Sequence, residues 1–499
     1  MAGAVAVGAP YVSLAKQSQP ADARGRPRHI IHLVSDGMSM GTLTCSDHLS
    51  LIKRGKGLTW VGLYRNPASV SGLMDMRCLN SLVTDSSAAS SSWGSGSRIM
   101  NGWVNDLLDH GPLKTLYELF GEQGWKRALV TTTEITHATP AGFAAKGVRR
   151  SDAEAIAAQY LAGNVEVMLG GGQKYFASDR RKDKRDLAGE YLKAGYEIMR
   201  TSDELSRASR DKKWLGIFNE SHLPYSVDQA SPGTVDKSVP TLAAMTERAL
   251  ARLENENHFI MQVEGGRVDH GCHTCDAAAA FSDQIAFDEA LDVCVKFQQR
   301  QPETLIVITT DHGNGNPGLN GLGSGYALST PLFYNLKSVR NSFEVITREF
   351  RSAKTPAEIA EIIFRATDYK ISPARLERLI PYALSGAGKL PASGKPLFGL
   401  MDNLNCQLGQ LLANHIGVSW TGNAHTADYV PLLAIGPGAK RFGGFIQNVD
   451  VFRHYTELAG IDFRNPTRPL QDGFPARARL RKNDSDAHWH RSTETGRRA

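Results

Sequence analysis

The chain has 499 residues, of which 41% are hydrophobic and 22% charged, with a formal net charge of +6. That length allows one large α/β domain with insertions, or two or three average domains, with a core big enough to need no covalent staple. No basic patch interleaved with aromatic residues occurs, which excludes nucleic acid as a partner, and no apolar run is long enough to span a membrane.

Residues 1–27 open small and apolar and then turn polar, without a charged leading region. They are compatible with the remnant of an export signal and equally with a plain N-terminal segment. Short uninterrupted apolar runs at 29–35, 127–132, 165–170, 258–263, 304–309 and 429–435 have the character of strands buried on both faces. Helical patterns at 113–124, 151–162, 239–255 and 277–300 lie between them. The alternation predicts an α/β fold with a mostly parallel central sheet and helices on both faces. Residues 173–236, rich in Lys, Arg and Asp, read as an irregular insert. A second insert at about 318–420 carries helical patterns at 355–369, 372–384 and 397–416 and reads as a helical cap within a single catalytic domain of residues 28–475. The basic, apolar-poor stretch 476–499 reads as a solvated tail.

Six cysteines, at 45, 78, 272, 275, 294 and 406, permit a disulfide or two in an oxidising compartment without demanding one. Cys272 and Cys275 form a CxxC, but no second pair completes a structural zinc site.

Several polar residues follow directly on predicted strands, where open α/β sheets bind their ligands. Asp36 follows the first strand, Glu264 the fourth, and Asp311 and His312 the fifth, while His137 follows the second. Asp269 and His273 are four residues apart and would share one face of a helix. His425 stands alone in Gly-Asn-Ala-His-Thr, and Thr84-Asp85-Ser86-Ser87 supplies a candidate nucleophile. Carboxylates and imidazoles with few thiolates suit hard or borderline divalent cations. Two such cations can activate an attacking oxygen and neutralise a leaving one, the two needs of phosphate-ester hydrolysis.

These segments together resemble the alkaline phosphatase family across roughly residues 28–459. The resemblance implies hydrolysis of small-molecule phosphate monoesters at alkaline pH through a phosphoserine on Ser86. Arg150 would bind the phosphate, with Asp85 orienting it, and Arg149 is left as a surface residue. Asp269, His273 and His425 would hold one zinc ion, and Asp36, Asp311 and His312 a second. Asp36, Thr139 and Glu264 would hold magnesium. His137 and His270 stand where some members have Asp and Lys, which leaves the third site open to zinc or cobalt and leaves both histidines open as plain hydrogen bonders around it. The family pattern further implies a periplasmic or secreted protein and is compatible with a homodimer. Ser86-Ser87-Ala88-Ala89-Ser90 lacks the Cys/Ser-x-Pro-x-Arg context of a sulfatase, and a phosphodiesterase would not need Arg150. The remaining rival is an inactive phosphate- or metal-binding homologue.

Overall fold

The computed structural model describes residues 25–231, 236–384, 396 and 398–470. Most of the leading segment 1–27, and the tail 476–499 in full, lie outside the described residues. Ten strands form the central sheet: β1 (His29–Val34), β2 (Val70–Asp75), β3 (Lys126–Glu134), β4 (Val167–Gly171), β5 (Tyr196–Met199), β6 (Lys213–Ile217), β7 (Phe259–Glu264), β8 (Thr304–Thr309), β9 (Val430–Ile435) and β10 (Gly444–Gln447). Their order across the sheet is β10-β2-β9-β8-β1-β7-β3-β4-β6-β5. Every neighbouring pair is parallel except the two made by β9, which runs against β8 on one side and β2 on the other. The sheet is therefore mostly parallel, with one inverted strand third from an edge.

The central strands are apolar on both faces because both are covered. In β1, Ile31 and Leu33 join one hydrophobic cluster while Ile30 and Val34 join the other. The first cluster is roofed by α1 (Met40–Arg54), α5 (Leu242–Leu253) and α7 (Ala277–Arg300). The second is roofed by α2 (Ser86–Ser95), α3 (Ala138–Ala144), α4 (Ala153–Ala162) and α12 (Asn448–Ala459). A short α6 (Arg267–His273) follows β7. Helices α8 (Phe343–Phe350), α9 (Pro356–Thr367), α10 (Pro373–Ala383) and α11 (Leu404–Ile416) occupy the second insert and feed Ile346, Ile359, Leu379 and Leu408 into the first cluster. Of the Gly/Pro/Ser-rich stretch near 384–396, only its two ends are described.

The stretch 173–236 is not irregular: it supplies β5 and β6, which extend one edge of the main sheet. These strands are only four and five residues long; Glu197 interrupts β5, and Lys213 opens β6 ahead of the buried residues 214–217. Edge strands tolerate such polar residues, so the apolar run that marks a central strand is missing. β2 and β10, at the opposite edge, are partly exposed for the same reason: Met74 and Asp75 are the buried residues of β2, and Ile446 that of β10. Among the described residues no helix is long and apolar enough to cross a membrane.

β1 also buries two histidines. His32 Nδ1 lies 2.7 Å from the Tyr455 hydroxyl, and His29 stacks on Phe259. Burial lowers their pKa values to about 3 and about 4, Arg28 adding to the effect at His29. Unfolding exposes both to protons below a pH of about 6.5, so each draws stability down as pH falls toward its folded value, by about 1.4 kcal/mol per pH unit. His32→Phe is expected to flatten the dependence of unfolding free energy on pH between about 6 and 4 by that amount. Denaturant titrations of both proteins across that window check it, and equal slopes would refute it.

Candidate active site

The carboxyl ends of β1, β7 and β8 lie in register, with Val34 beside both Glu264 and Thr309. Asp36, Glu264, Asp311 and His312 therefore leave the sheet at one edge. Because β9 is inverted, its leading end reaches the same edge. The preceding residues His425–Thr426 pair with Gly313–Asn314 in a two-residue ladder, setting His425 beside His312 with ring centroids 3.6 Å apart. α6 starts after β7 and presents Asp269 and His273 one turn apart.

Ser86 is the first residue of α2, capped by Asp85, whose side chain accepts from Ala88 N at 2.9 Å. The next serine is already engaged: Ser87 Oγ donates to both Asp85 oxygens at 2.9 and 2.8 Å. Ser86 Oγ instead faces the polar cluster, 3.3 Å from His312 Nε2. The Asp85 carboxylate also accepts from Gly102 N at 2.8 Å and pairs with Arg150 Nη1 at 3.2 Å. Burial opposes its ionisation, but Arg150 and these N–H donors hold its pKa below the usual carboxylate value. Arg150 is delivered by a ladder of Trp103–Val104 with Val148–Arg149. Its side chain is 30% exposed, leaving the guanidinium open to a ligand. Arg149 is exposed and stacks on Trp103 at 3.8 Å, away from Asp85.

Three groups of potential ligand atoms form, each with its atoms within 4.8 Å of one another: Asp269, His273 and His425; Asp36, Asp311 and His312; and Asp36, His137 and Glu264. Gly37, at φ 69°, permits the approach of the first two groups, because a Cβ there would meet Asp269 Oδ1 at 2.5 Å. Thr139 Oγ1 donates to Asp36 Oδ2 at 3.3 Å, placing it at the third group. His137 Nδ1 sits 3.5 Å from Glu264 and 4.0 Å from Asp36, inside that group, and its Nε2 is 3.4 Å from Arg150 Nη2. His270 lies one ring further out, 5.6 Å from His137, and its Nδ1 contacts Arg267 Nη1 at 2.8 Å.

The residues fit divalent cations on three counts. First, His273, His312 and His425 each direct Nδ1 at a backbone carbonyl, of Asn423, Gly313 and Thr84, at 2.8, 3.3 and 2.9 Å. A carbonyl can only accept, so Nδ1 carries the proton and Nε2 offers its lone pair to the cluster. His273 Nε2 and His425 Nε2 face each other at 3.1 Å, and an ion between them would turn that lone-pair clash into shared ligation. Second, Asp36 Oδ1, Glu264 Oε1 and His137 Nδ1 are buried without a hydrogen-bond partner in the described structure. Third, the electrostatics are those of an uncompensated acidic cluster. Burial, then Asp311, Asp269 and Glu264, push the Asp36 carboxyl well above its ordinary pKa. Asp269 and Asp311 stay below theirs because His273 and His312, respectively, lead the groups that override the effect of burial, with His425 adding at Asp269 and the Gly37 N–H at Asp311. His425, buried and next to His312, falls to about 3.

Four supporting residues were not foreseen. Thr131 and Thr133 both donate to Glu264 Oε2, the latter at 3.1 Å, and fix its orientation. They sit two apart in the Thr-Thr-Thr run of β3, a spacing that places both on one face. Asn314 Nδ2 donates to Asp269 Oδ1 at 2.6 Å. His222 stands 4.5 Å from His270 and accepts from Glu134 N at 3.1 Å; nothing in its local sequence marks it.

The sequence profile of one protein family, described as alkaline phosphatase, matches residues 27–461. Alkaline phosphatase 4 of Bacillus subtilis is 27% identical over 454 residues, covering 89% of this chain and 91% of its own. Streptomycin-6-phosphate phosphatase of Streptomyces griseus is 30% identical over 355 residues, covering 62% of this chain and 78% of its own. The crystal structure of Thermus thermophilus alkaline phosphatase superposes with a TM-score of 0.81 at 31% identity, covering 90% of this chain and 94% of that one.

Removing bound cations should expose the repulsion among Asp36, Glu264, Asp269 and Asp311. Dialysis against a strong chelator is expected to lower the thermal midpoint, and zinc returned at about 100 times its dissociation constant to restore about 2.7 kcal/mol per site. Differential scanning calorimetry across a zinc series reads this, and a midpoint indifferent to both treatments would contradict it.

Proposed function

We propose, starting from the fact that this chain belongs to the alkaline phosphatase family and is a metal-dependent phosphomonoesterase, that it works through a covalent phosphoserine on Ser86. The observation that carries this is the division of labour between adjacent serines. Ser87 is held by Asp85, whereas Ser86 Oγ faces His312 and the ligand cluster from the first turn of a helix.

Asp269, His273 and His425 are the candidate ligands of one zinc ion; Asp36, Asp311 and His312 are those of a second. Asp36, Glu264, Thr139 and His137 are the candidates for a third cation. When bound, such cations lower the pKa of the hydroxyl and water they touch and offset negative charge on the phosphoryl group and leaving oxygen.

The chain's own groups do the rest. Arg150 grips two phosphate oxygens through its planar fork, and Asp85 holds that fork in place. The N-terminus of α2, whose positive dipole end lies at Ser86, favours an anion there. Ser86 Oγ forms the new bond to phosphorus as the bond to the alcohol breaks. Water then displaces the serine and releases inorganic phosphate. Because the need is for a deprotonated oxygen at both steps, an alkaline working range follows.

An imidazole at His137 in place of a carboxylate makes the third group a poorer magnesium site, since magnesium favours an all-oxygen octahedron. Zinc or cobalt is the better match for it. Phe398 beside Gly422, three residues from His425, puts the helical insert at the rim of the site, where it limits access to the alcohol end of the substrate. A periplasmic or secreted location completes this reading, which is compatible with a homodimer.

Ser86→Ala is expected to lower kcat by about a thousandfold or more, and Ser87→Ala by far less. Acid quenching during turnover of a 32P-labelled monoester should leave label on the Ser86 peptide of the parent chain and none in Ser86→Ala; label elsewhere would move the nucleophile. His137→Asp is expected to retain more magnesium after dialysis than the parent chain, by elemental analysis. Full magnesium retention in the parent would refute the proposed third-site preference.

A further inference from the structure

Two of the six cysteines meet. Cys275 Sγ and Cys406 Sγ are 3.3 Å apart across 131 residues of sequence, both fully buried. With Met401 they form a small apolar cluster separate from the main cores, against which Trp420 packs. All six cysteines are free and buried in the structure, and among the described residues Cys275 and Cys406 are the two whose sulfurs touch.

Two further features bring this pair together. Cys275 ends the ligand helix region at φ 54°, the left-handed conformation that a side chain with a Cβ adopts only at a cost. On the facing helix α11, Gly409 supplies the space: a Cβ there would meet Cys275 O at 2.6 Å and Cys275 Cβ at 2.8 Å. A backbone held in a disfavoured conformation and a helix shaved to glycine thus converge on the same contact. Cys275 Sγ also lies 3.5 Å from Gly422 O, so three segments join here. They are the end of the helix carrying His273, helix α11 of the insert, and the loop leading to His425.

We propose that Cys275 and Cys406 are the site of an intramolecular disulfide, formed when the chain folds in an oxidising compartment, that pins the helical insert to the catalytic body beside His273. The pairing proceeds by thiol–disulfide exchange with a small disulfide oxidant such as glutathione disulfide. The thiolate of one cysteine attacks a sulfur of the oxidant and expels one thiolate, leaving a mixed disulfide. The second cysteine's thiolate attacks the protein-side sulfur, forms the Cys275–Cys406 bond and expels the other thiolate. Two protons and two electrons leave the pair, and the oxidant becomes two thiols. Burial then shields the bond from later reduction.

The test is a thiol count on the full chain, refolded with zinc in a glutathione buffer rich in the oxidised form, then denatured and labelled with a maleimide. Four reactive thiols are expected before reduction and six after it, with a linked pair of peptides containing Cys275 and Cys406 in a non-reducing digest. Six reactive thiols before reduction, or a linkage to any other cysteine, overturns the proposal. The double variant Cys275→Ala/Cys406→Ala supplies a second readout. Refolding with zinc and a phosphine reductant in place of the glutathione buffer is expected to lower the thermal midpoint of the parent chain by a few degrees and leave the variant unmoved. An equal shift in both overturns it. None of these readouts depends on the phosphoserine pathway, so the two proposals stand or fall separately.

Discussion

Asp36, Glu264, Asp269 and Asp311 are brought into one buried space at a single edge of the sheet, and their mutual repulsion is the constraint around which the molecule is arranged. Like charges a few ångströms apart in a medium less polar than water cost several kcal/mol per pair unless something positive intervenes. The protein supplies part of the remedy in Arg150 and, while no cation is bound, in protonated His273 and His312, whose Nε2 protons give way when a cation binds. It leaves the remainder to cations, for which it keeps lone pairs aimed inward and backbone carbonyls behind the imidazoles to fix their tautomers. The sheet makes this tolerable by holding each carboxylate at a strand end that side-chain packing has already fixed.

The nucleophile is set by a different device. α2 and α3 cross closely because Gly94 faces Gly142 and Gly142 faces Ser90: a Cβ on Gly94 would meet Gly142 O at 1.8 Å, and one on Gly142 would meet Ser90 C at 2.6 Å. That crossing ties the helix that starts with Ser86 to the helix that carries Thr139. Serines elsewhere in α2 are bonded inward, Ser90 Oγ to Thr139 O at 2.6 Å among them. The serine-rich run is therefore a packed helix with one hydroxyl turned to the chemistry, rather than a loop. The family resemblance already favoured Ser86; the Asp85 contacts of Ser87 give the geometric reason.

Much of this was legible in the residues because strand ends and ligands coincide. The apolar runs at 29–35, 258–263 and 304–309 are central strands, and the acidic residues directly after them mark the edge where ligands gather. What stayed hidden depends on distant partners. Thr131 and Thr133 read as ordinary strand formers, since their role is defined by a glutamate more than 130 residues away. His222 sits in a loop with no motif, and its meaning comes from His270 and Glu134. β5 and β6 were read as irregular because both are short, Glu197 breaks the edge strand β5, and the apolar run 214–217 of β6 is brief and set among charged residues. The run at 429–435 was legible as a strand, but its direction was not, because orientation is a property of neighbours rather than of residues.

That inverted strand ties the completion of the site to the completion of the sheet. β9 lies between β8 and β2, so β2, made of residues 70–75, has no place in the sheet until residues 430–435 arrive. His425 travels with the same segment. Long-range pairing of this kind is slow to form, because the intervening chain must be closed first. On a ribosome, the early three quarters of the polypeptide can assemble β1, β7 and β8 while a cation-binding corner stays one imidazole short. A chain lacking residues 425–447 would lack its sheet edge and a ligand at once, because one late segment completes both the sheet and the cation-binding corner.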